Sequence, residues 1–323
     1  MIEIKQKKVK LWSKIGSRAT FGMAILELAK TKGEFFAISA DLCASSGLER
    51  FRDAFPERFI NIGIAEQNMI GVAAGLAKDG TPVFTTSFAP FISMRASEQI
   101  RMFMGYMSLN IKAISLGSGF AMWHFGNSHF GIEDVSVMRS IPNITVISPA
   151  DCTEIVKTVE AAEAYTGPVY IRLTGGPNNP IVYDNDYTFE IGKANTLAWG
   201  KDVALIASGT MVYTSLQVAQ KLSEIGISCT VIDMHTIKPL DTEAVDSVLN
   251  HKLIVTVEEH NIIGGLGSAV AEYLSPKRCR PPQLLIGIND FFPHAGDYEY
   301  LLGQCGLTVP QISEKVLNYL QEA

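Results

Sequence analysis

The sequence predicts an α/β fold, built from two doubly wound domains with mostly parallel sheets. Apolar runs of strand length alternate with longer runs of helical periodicity along nearly all of the chain. Such alternation places helices on both faces of a parallel sheet. A stretch rich in Gly, Pro, Asn and Asp, residues 175–195, interrupts the alternation and is typical of a linker. The length of 323 residues suits two domains of ordinary size.

We predict a first domain over residues 1–175, because strand and helix patterns follow one another there without a break. The run SRATFGMAILELAKTKG at 17–33 has the spacing of an amphipathic helix. The run FFAISADL at 35–42 is short and nearly all apolar, as expected for a strand buried on both faces. The other predicted strands are 57–64, 81–89, 110–119, 143–151 and 167–175, and the other predicted helices are one that begins at Ala65 and those at 91–106 and 152–165.

A linker over residues 176–195 and a second domain over residues 196–323 are predicted next. The predicted elements of the second domain are strands at 202–209, 228–241 and 252–260 and helices at 211–226 and 264–275. The run GGLGSA at 264–269 lacks the GxGxxG spacing after a strand. We therefore interpret it as a tight helix entrance and not as a dinucleotide site.

Composition and charge exclude several classes of protein. The formal net charge is −6, without a basic tract, so we expect no nucleic-acid partner. The N-terminal run has no apolar core of signal-peptide length, and no stretch reaches ~18 uninterrupted apolar residues. The five cysteines lack CxxC or CxxH spacing, as expected for reduced thiols and not for a disulfide framework or zinc site. The sequence therefore predicts a soluble, cytoplasmic protein without a membrane partner.

The run NIGIAEQNM at 61–69 carries one carboxylate, Glu66, among apolar and small residues. From Ala65 onward the apolar positions recur at helical spacing, so Glu66 stands at a strand-to-helix junction. A carboxylate in a first helical turn stabilises the helix dipole by about 0.3–1 kcal/mol. Alternatively, a carboxylate with apolar neighbours holds or passes a proton near neutral pH. This stretch alone does not decide between the two roles.

Aromatic rings and histidines follow two of the predicted strands. Phe88 and Phe91 come after the strand at 81–89, where they are either ordinary core or a platform on which a planar heteroaromatic ligand stacks. His124 and His129 lie in a Gly/Asn/Ser loop beside Phe125, which suggests a pocket wall with an acid–base group. Metal binding is the weaker interpretation, because no carboxylate or cysteine completes a ligand set.

Several of these runs together resemble the C-terminal half of a transketolase. The matching runs are SRATFG, SADLCASS, NIGIAEQNMIGVAAGLA, TTSFAPF, SHFGIEDVSVMRSIPN, ISPAD, MHTIKPLD and EEHNIIGGLGSAVAE. They span nearly all of the chain and both predicted domains. The chain is similar to the C-terminal subunit of a split, two-gene transketolase.

The resemblance implies that the first domain binds the aminopyrimidine ring of thiamine diphosphate and that the second is the transketolase C-terminal domain. Glu66 would bond N1′ of the ring, which promotes removal of the C2 proton of the cofactor. Phe91 would stack on the ring and Phe88 would pack beside it. His129 would contact the substrate as a catalytic residue. The other implied substrate-binding residues are Arg18 and Ser45, which hold the sugar phosphate, and Asp41, His124 and Phe125.

The chain also departs from the family pattern at substrate-contacting positions. Gly117 stands where the family has a histidine, and Gly175 where the subunit form has an arginine. His124 and Phe125 replace a Glu-Asp pair whose Asp reads a donor hydroxyl. These departures predict a non-standard substrate pocket, for a sugar phosphate or a modified ketose.

The resemblance also implies a partner chain. The family holds the diphosphate and Mg²⁺ with a GDG motif and a later Asn in another domain, and this sequence has no GDG. We therefore expect an N-terminal transketolase subunit with the GDG…N motif, in a heterotetramer in which this chain also associates with itself. Two alternatives stay open: a β subunit of a 2-oxoacid dehydrogenase or pyruvate-using ketol synthase, and a non-catalytic assembly or regulatory module.

Overall fold

The structure is a computed structural model that describes residues 2–322, and its strands form two sheets. The strands are β1 Phe36–Ser39, β2 Phe59–Asn61, β3 Val83–Phe88, β4 Ile111–Leu116, β5 Thr145–Ile147, β6 Val169–Leu173, β7 Asn195–Ala198, β8 Val203–Ala207, β9 Cys229–Asp233, β10 Thr236–Lys238, β11 Leu253–Asn261 and β12 Gln283–Ile288. The α-helices are α1 Gln6–Ile15, α2 Ser17–Thr31, α3 Glu49–Ala54, α4 Glu66–Lys78, α5 Ser97–Gln99, α6 Asp134–Ser140, α7 Cys152–Ala164, α8 Met211–Ser223, α9 Thr242–Asp246, α10 Leu266–Leu274, α11 Tyr298–Cys305 and α12 Val309–Glu322.

The first sheet has the strand order β10-β5-β6-β4-β3-β1-β2, and its pairs are parallel except the edge pair β10·β5. Its strands are buried on both faces, because adjacent residues of one strand enter different cores. Ala37 of β1 packs with α1, α2 and α7, whereas Ile38 packs with α4 and α6. This two-sided burial explains why the strands are nearly continuous apolar runs.

The second sheet has the order β12-β11-β8-β9-β7 and is parallel except for the edge strand β7. Leu205 of β8 faces a core with α8, α11 and α12, whereas Ile206 faces a core with Leu266 of α10 and Val245 of α9. Both sheets are therefore covered by helices on both faces, and the predicted fold class is confirmed.

Two predicted elements differ from the structure. The predicted strand at 228–241 is two strands: β9 lies in the second sheet, whereas β10 turns back and closes the edge of the first sheet. The predicted helix at 91–106 is two π-helical runs, Phe91–Arg95 and Ile100–Tyr106, on either side of α5. Apolar spacing reveals neither difference, because it reports which face is buried and not the hydrogen-bond ring size or the sheet that is joined. Wide π turns are frequent at functional sites.

Candidate active site

The residues singled out in the sequence follow four neighbouring strands of the first sheet. Strands β4, β3, β1 and β2 run parallel to one another, side by side. Asp41 follows β1, Glu66 follows β2, Phe91 follows β3, and the loop 117–131 follows β4. The carboxyl ends of parallel strands open at one edge of a sheet, where ligand crevices form in α/β folds.

Glu66 is the first residue of α4, and its side chain is only 1% exposed. The hydroxyl of Ser87 on β3 donates to Oε1 over 2.9 Å, and Nη1 of Arg95 donates to Oε2 over 2.7 Å. Both carboxylate oxygens therefore have a polar partner. The neighbours of Glu66 in the sequence are apolar or small, as noted above. Its carboxylate nevertheless contacts two polar side chains, because β3 supplies Ser87 and the following π turn supplies Arg95. Neither contact was predicted from the sequence, because Ser87, in the run TTSFAPF, and Arg95, four residues beyond it, carry no sign of a contact with Glu66.

Arg95 lies over the ring of Phe91, with Cζ 4.1 Å from the ring centroid. Both residues belong to the π turn Phe91–Arg95, so the guanidinium contacts an aromatic face and the Glu66 carboxylate at the same time. A cation over a ring face is an attractive arrangement. The side chain of Arg95 is 44% exposed, in contrast to the buried Glu66.

The imidazole of His129 joins the aromatic rings of the site. Its centroid lies 5.1 Å from that of Phe91, 5.4 Å from that of Phe88 and 4.7 Å from that of Phe125. Phe125 in turn lies 4.2 Å from the ring of His124. The structure thus brings together six of the predicted site residues: Glu66, Phe88, Phe91, His124, Phe125 and His129.

The electrostatic surroundings of His129 favour its neutral form. Burial is the largest cause that lowers the pKa of His129, followed by the nearby His124 and Arg95. Because the pKa falls below the ordinary value of about 6.5, the imidazole is neutral at pH 7. The Ser128 hydroxyl lies 3.0 Å from Nδ1. A neutral imidazole can donate one hydrogen bond and accept another, as contact with a substrate hydroxyl requires.

The second sheet holds the loop that carries His129. Glu259 of β11 accepts a hydrogen bond from the backbone N–H of Phe120 over 2.5 Å. Arg172, paired with the buried Asp134, donates to the carbonyls of Gly131 and Glu259. These contacts fix both ends of the loop to β11. They were not predicted from the sequence, because the residues are far apart in the chain.

Arg18 and Ser45 line a cavity of about 370 Å³ at the start of α2, together with Gly175. Nη1 of Arg18 donates to the Ser45 carbonyl over 3.0 Å, so the contact is with the backbone and not with the hydroxyl. Burial lowers the pKa of Arg18, yet arginine stays charged in proteins. A partly desolvated cation at a helix N-terminus favours an anionic ligand.

The two glycines that depart from the family pattern have no room for a side chain. Gly117 has φ +66°, and a Cβ there would lie 2.3 Å from the Met122 side chain. Gly175 has φ +77°, and a Cβ there would lie 2.7 Å from the side chain of Asn179. Left-handed backbone is strained for side-chain-bearing residues. A side chain at either position would therefore require the backbone and the Met122 or Asn179 side chain to shift.

Asp41 lies just beyond β1 with φ +59° and is exposed. Asn61 at the end of β2 donates from Nδ2 to the Asp41 carboxylate over 3.0 Å and accepts from the Asp41 N–H over 3.1 Å. The pair ties the carboxyl ends of two neighbouring strands together.

Within residues 2–322, no group of three or more His, Cys, Asp or Glu side chains is arranged to hold a metal ion. None of the helices formed by these residues combines the length and apolarity needed to cross a membrane.

Family comparisons agree with this architecture. The pyrimidine binding domain of transketolase matches residues 13–176, and the transketolase C-terminal domain matches residues 192–312. The chain is 40% identical over 309 residues to a putative transketolase C-terminal section from Methanocaldococcus jannaschii, covering 95% of this chain and 97% of that protein. It is 41% identical over 296 residues to a 6-deoxy-6-sulfo-D-fructose transketolase subunit from Clostridium sp. strain MSTE9, covering 91% of each chain.

A third relative is one subunit of an apulose-4-phosphate transketolase from Phocaeicola vulgatus, 36% identical over 310 residues, with 95% of this chain and 98% of that protein covered. Among solved structures, a split gene transketolase described as an inactive β4 tetramer matches with a TM-score of 0.88 and 40% identity, over 95% of this chain and 99% of that chain. The protein therefore belongs to the transketolase family, in which it corresponds to the C-terminal subunit of a split enzyme.

Proposed function

We propose that this chain completes the active site of a thiamine-diphosphate-dependent transketolase, which transfers a two-carbon ketol unit between sugar substrates. The observation that carries the proposal is the buried Glu66 carboxylate beside the ring of Phe91, with the flat guanidinium of Arg95 in contact with both. The guanidinium shows that a planar, nitrogen-bearing group fits between Glu66 and Phe91. The aminopyrimidine ring of the family's cofactor is also planar and bears nitrogen, so it suits the same position.

In this proposal Glu66 would bond N1′ of the aminopyrimidine and share a proton with it. Phe91 would stack on the ring, and Phe88, which meets Phe91 edge-on at 6.1 Å between centroids, packs beside Phe91. Burial of Glu66 strengthens the shared hydrogen bond, because water does not compete for it. When bound, the cofactor supplies the carbon nucleophile that carries the ketol unit.

The diphosphate and Mg²⁺ of the cofactor are assigned to an N-terminal subunit. The sequence of this chain has no GDG motif, and its described residues offer no metal cluster. The resulting enzyme is a heteromer, and we infer a heterotetramer in which this chain contacts its own copy. The tetrameric state of the split-gene relative supports self-association of such subunits.

The substrate is proposed to be a ketose with one terminal anionic group, a phosphate or a sulfonate. Arg18, in the first turn of α2, and the nearby Ser45 both line the cavity and would hold that group. His129 would contact the reacting oxygens, with Asp41, His124 and Phe125 around the sugar. The relatives named for sulfofructose and apulose phosphate support a modified ketose. The side-chain-free Gly117 and Gly175 support a pocket that differs from that of a pentose-phosphate enzyme.

The proposal extends to domain boundaries and location. We assign residues 1–175 to the pyrimidine domain, 176–195 to the linker and 196–323 to the C-terminal domain, which the family matches over 13–176 and 192–312 support. We infer a cytoplasmic enzyme, a location supported by free thiols at all five cysteines.

Calorimetry tests the split site directly. We expect thiamine diphosphate with Mg²⁺ to bind tightly to this chain mixed with its N-terminal subunit, and only weakly to this chain alone. The reason is that this chain offers ring-binding groups without the diphosphate motif. Micromolar binding by the isolated chain, about −8 kcal/mol, would contradict the division of the site between two chains.

A further inference from the structure

We propose that Arg95 is an internal competitor for the cofactor ring: it occupies Glu66 and Phe91 in the resting site and leaves when the aminopyrimidine binds. The inference rests on the proposed function, because that function assigns the same two residues to the ring. It adds a residue that controls cofactor affinity through competition.

The contacts of Arg95 are those that the aminopyrimidine needs. Its Nη1 donates to Oε2 of Glu66 over 2.7 Å, and its Cζ lies 4.1 Å from the centroid of the Phe91 ring. The other oxygen of Glu66, Oε1, accepts from the Ser87 hydroxyl over 2.9 Å. Because the guanidinium contacts both Oε2 and the Phe91 ring, an aminopyrimidine that stacks on the same face of Phe91 and bonds Oε2 would need the space that the guanidinium fills.

The two partners differ in their freedom to move. The Glu66 side chain is 1% exposed at the start of α4, whereas the Arg95 side chain is 44% exposed. When Arg95 turns into solvent its guanidinium regains water, so the cost of its departure falls on Glu66. Its departure alone would leave a buried carboxylate without a cation, which is strongly unfavourable. Departure of Arg95 and arrival of the ring are thus expected to occur as one exchange.

The exchange changes the protonation of the site. The exchange replaces a cation, the Arg95 guanidinium, by a neutral ring beside the buried Glu66 side chain. Binding should therefore take up about one proton. The other groups that face the pair are the Ser87 hydroxyl on β3 and His129 in the loop 117–131, with His124 beyond it. Of these, His129 has a pKa that burial lowers from its ordinary value.

The test uses this chain assembled with its N-terminal subunit and titrated with thiamine diphosphate and Mg²⁺. Calorimetry in two buffers of different ionisation enthalpy gives the dissociation constant and the proton uptake together. We expect Arg95→Met to bind at least ~10-fold more tightly, the factor for removal of a competing state of at least about 90% population. We expect its proton uptake to fall from about one to near zero, because binding to this variant no longer replaces a cation beside Glu66.

Arg101→Met is the matched control. Arg101 lies in the same segment, is 62% exposed and pairs with Glu98 instead of Glu66, so affinity and proton uptake should stay unchanged. Arg95→Lys keeps the charge without the flat guanidinium and should give intermediate affinity. This variant also serves if Arg95→Met does not fold.

The outcomes separate the two proposals. If the assembled wild-type enzyme does not bind thiamine diphosphate, the proposed function fails and the inference fails with it. If the wild type binds but removal of the Arg95 guanidinium leaves affinity and proton uptake unchanged, or weakens binding, the inference alone is wrong. In the case of weaker binding, Arg95 is instead a contact that stabilises the bound cofactor.

Discussion

The two regions proposed to hold cofactor and substrate differ in how their charged groups are satisfied. At Glu66, both oxygens of a buried carboxylate have donors from within the chain. At Arg18, a partly buried cation donates to a backbone carbonyl, and the neighbouring Gly175 supplies no side chain. In the first region every carboxylate oxygen already has a donor, so a ligand that bonds Glu66 is proposed to replace Arg95. The second has a charge that an anionic ligand can neutralise. We therefore expect the chain to control cofactor entry at Glu66 and to select its substrate at Arg18.

The largest expected effect is on the rate of C2 deprotonation, when the carboxyl group of Glu66 is removed. Glu66→Gln should leave folding nearly intact, because the amide oxygen can still accept from Arg95 and the Ser87 hydroxyl can accept from the amide NH₂. The variant has no carboxyl proton to share with N1′, so C2 deprotonation of bound cofactor should slow by orders of magnitude. Hydrogen–deuterium exchange at C2 in the assembled enzyme measures it. Glu98→Gln, at an exposed position, is the control, and an unchanged exchange rate in Glu66→Gln would remove Glu66 from the mechanism.

The next effect concerns the substrate region. The family resemblance implies that Gly117, Phe125 and Gly175 replace residues that contact a pentose phosphate, and charge-assisted contacts of this kind are typically worth ~1.5–3 kcal/mol each. We expect kcat/KM for xylulose 5-phosphate to be at least ~100-fold below that for the true donor, a loss of about 2.7 kcal/mol of transition-state binding. Steady-state assays over ketose phosphates, sulfonated ketoses and 2-oxoacids measure the ratio. Full efficiency with xylulose 5-phosphate and ribose 5-phosphate would mean that other residues replace these contacts.

A smaller effect tests whether the wall of the Arg18 cavity is fixed by packing. Gly175→Ala should destabilise the fold by about 1–3 kcal/mol, because φ is +77° and the new Cβ meets Asn179. Gly176→Ala is the matched control, since a Cβ at Gly176 has no neighbour within 4 Å and the residue lines the same cavity. Denaturant unfolding of both variants gives the comparison. Equal stabilities would show that the backbone at Gly175 adapts easily.

The smallest effect concerns the charge balance around His129. Its pKa should lie below the ordinary value of about 6.5, so the imidazole is neutral at pH 7 and gains its proton only as the pH falls below that value. Arg95→Met removes a lesser cause of the lowered pKa, so the pKa should rise slightly, while burial keeps it lowered. Proton NMR titration of the His129 ring measures both. A pKa at or above 6.5 in the wild type would contradict the described packing of the ring.

Much of the fold could be predicted from local patterns. Strand β8 is apolar on both faces, and this burial is visible in the sequence as the uninterrupted apolar run VALIA. The sequence did not predict that β10 pairs with the first sheet, because the apolar pattern of a three-residue strand is too short to indicate which sheet it joins. The π turns at 91–106 were equally hidden, since π and α turns bury similar apolar faces.

For the candidate site, the sequence predicted which residues belong to the site better than it predicted the residues that form hydrogen bonds with them. Glu66, Phe91 and His129 stand in recognisable runs, and the structure places Phe91 in contact with His129 and with Arg95, the partner of Glu66. Arg95 and Ser87 were missed because neither belongs to a motif that implies a contact with Glu66. The Ser45 role differs in detail, since its carbonyl and not its hydroxyl accepts from Arg18.

The sequence by itself determined the two α/β layers, the family, and the residue types available at the carboxyl ends of the first sheet. These properties follow from local periodicity and from motifs that are contiguous in the chain. Only the tertiary structure decided that Arg95 lies between Glu66 and Phe91, that Glu259 holds the His129 loop, and that Met122 and Asn179 fill the space beside Gly117 and Gly175. The physical reason is that these contacts depend on side-chain direction across neighbouring elements, which is set by packing and hydrogen-bond geometry and not by local sequence.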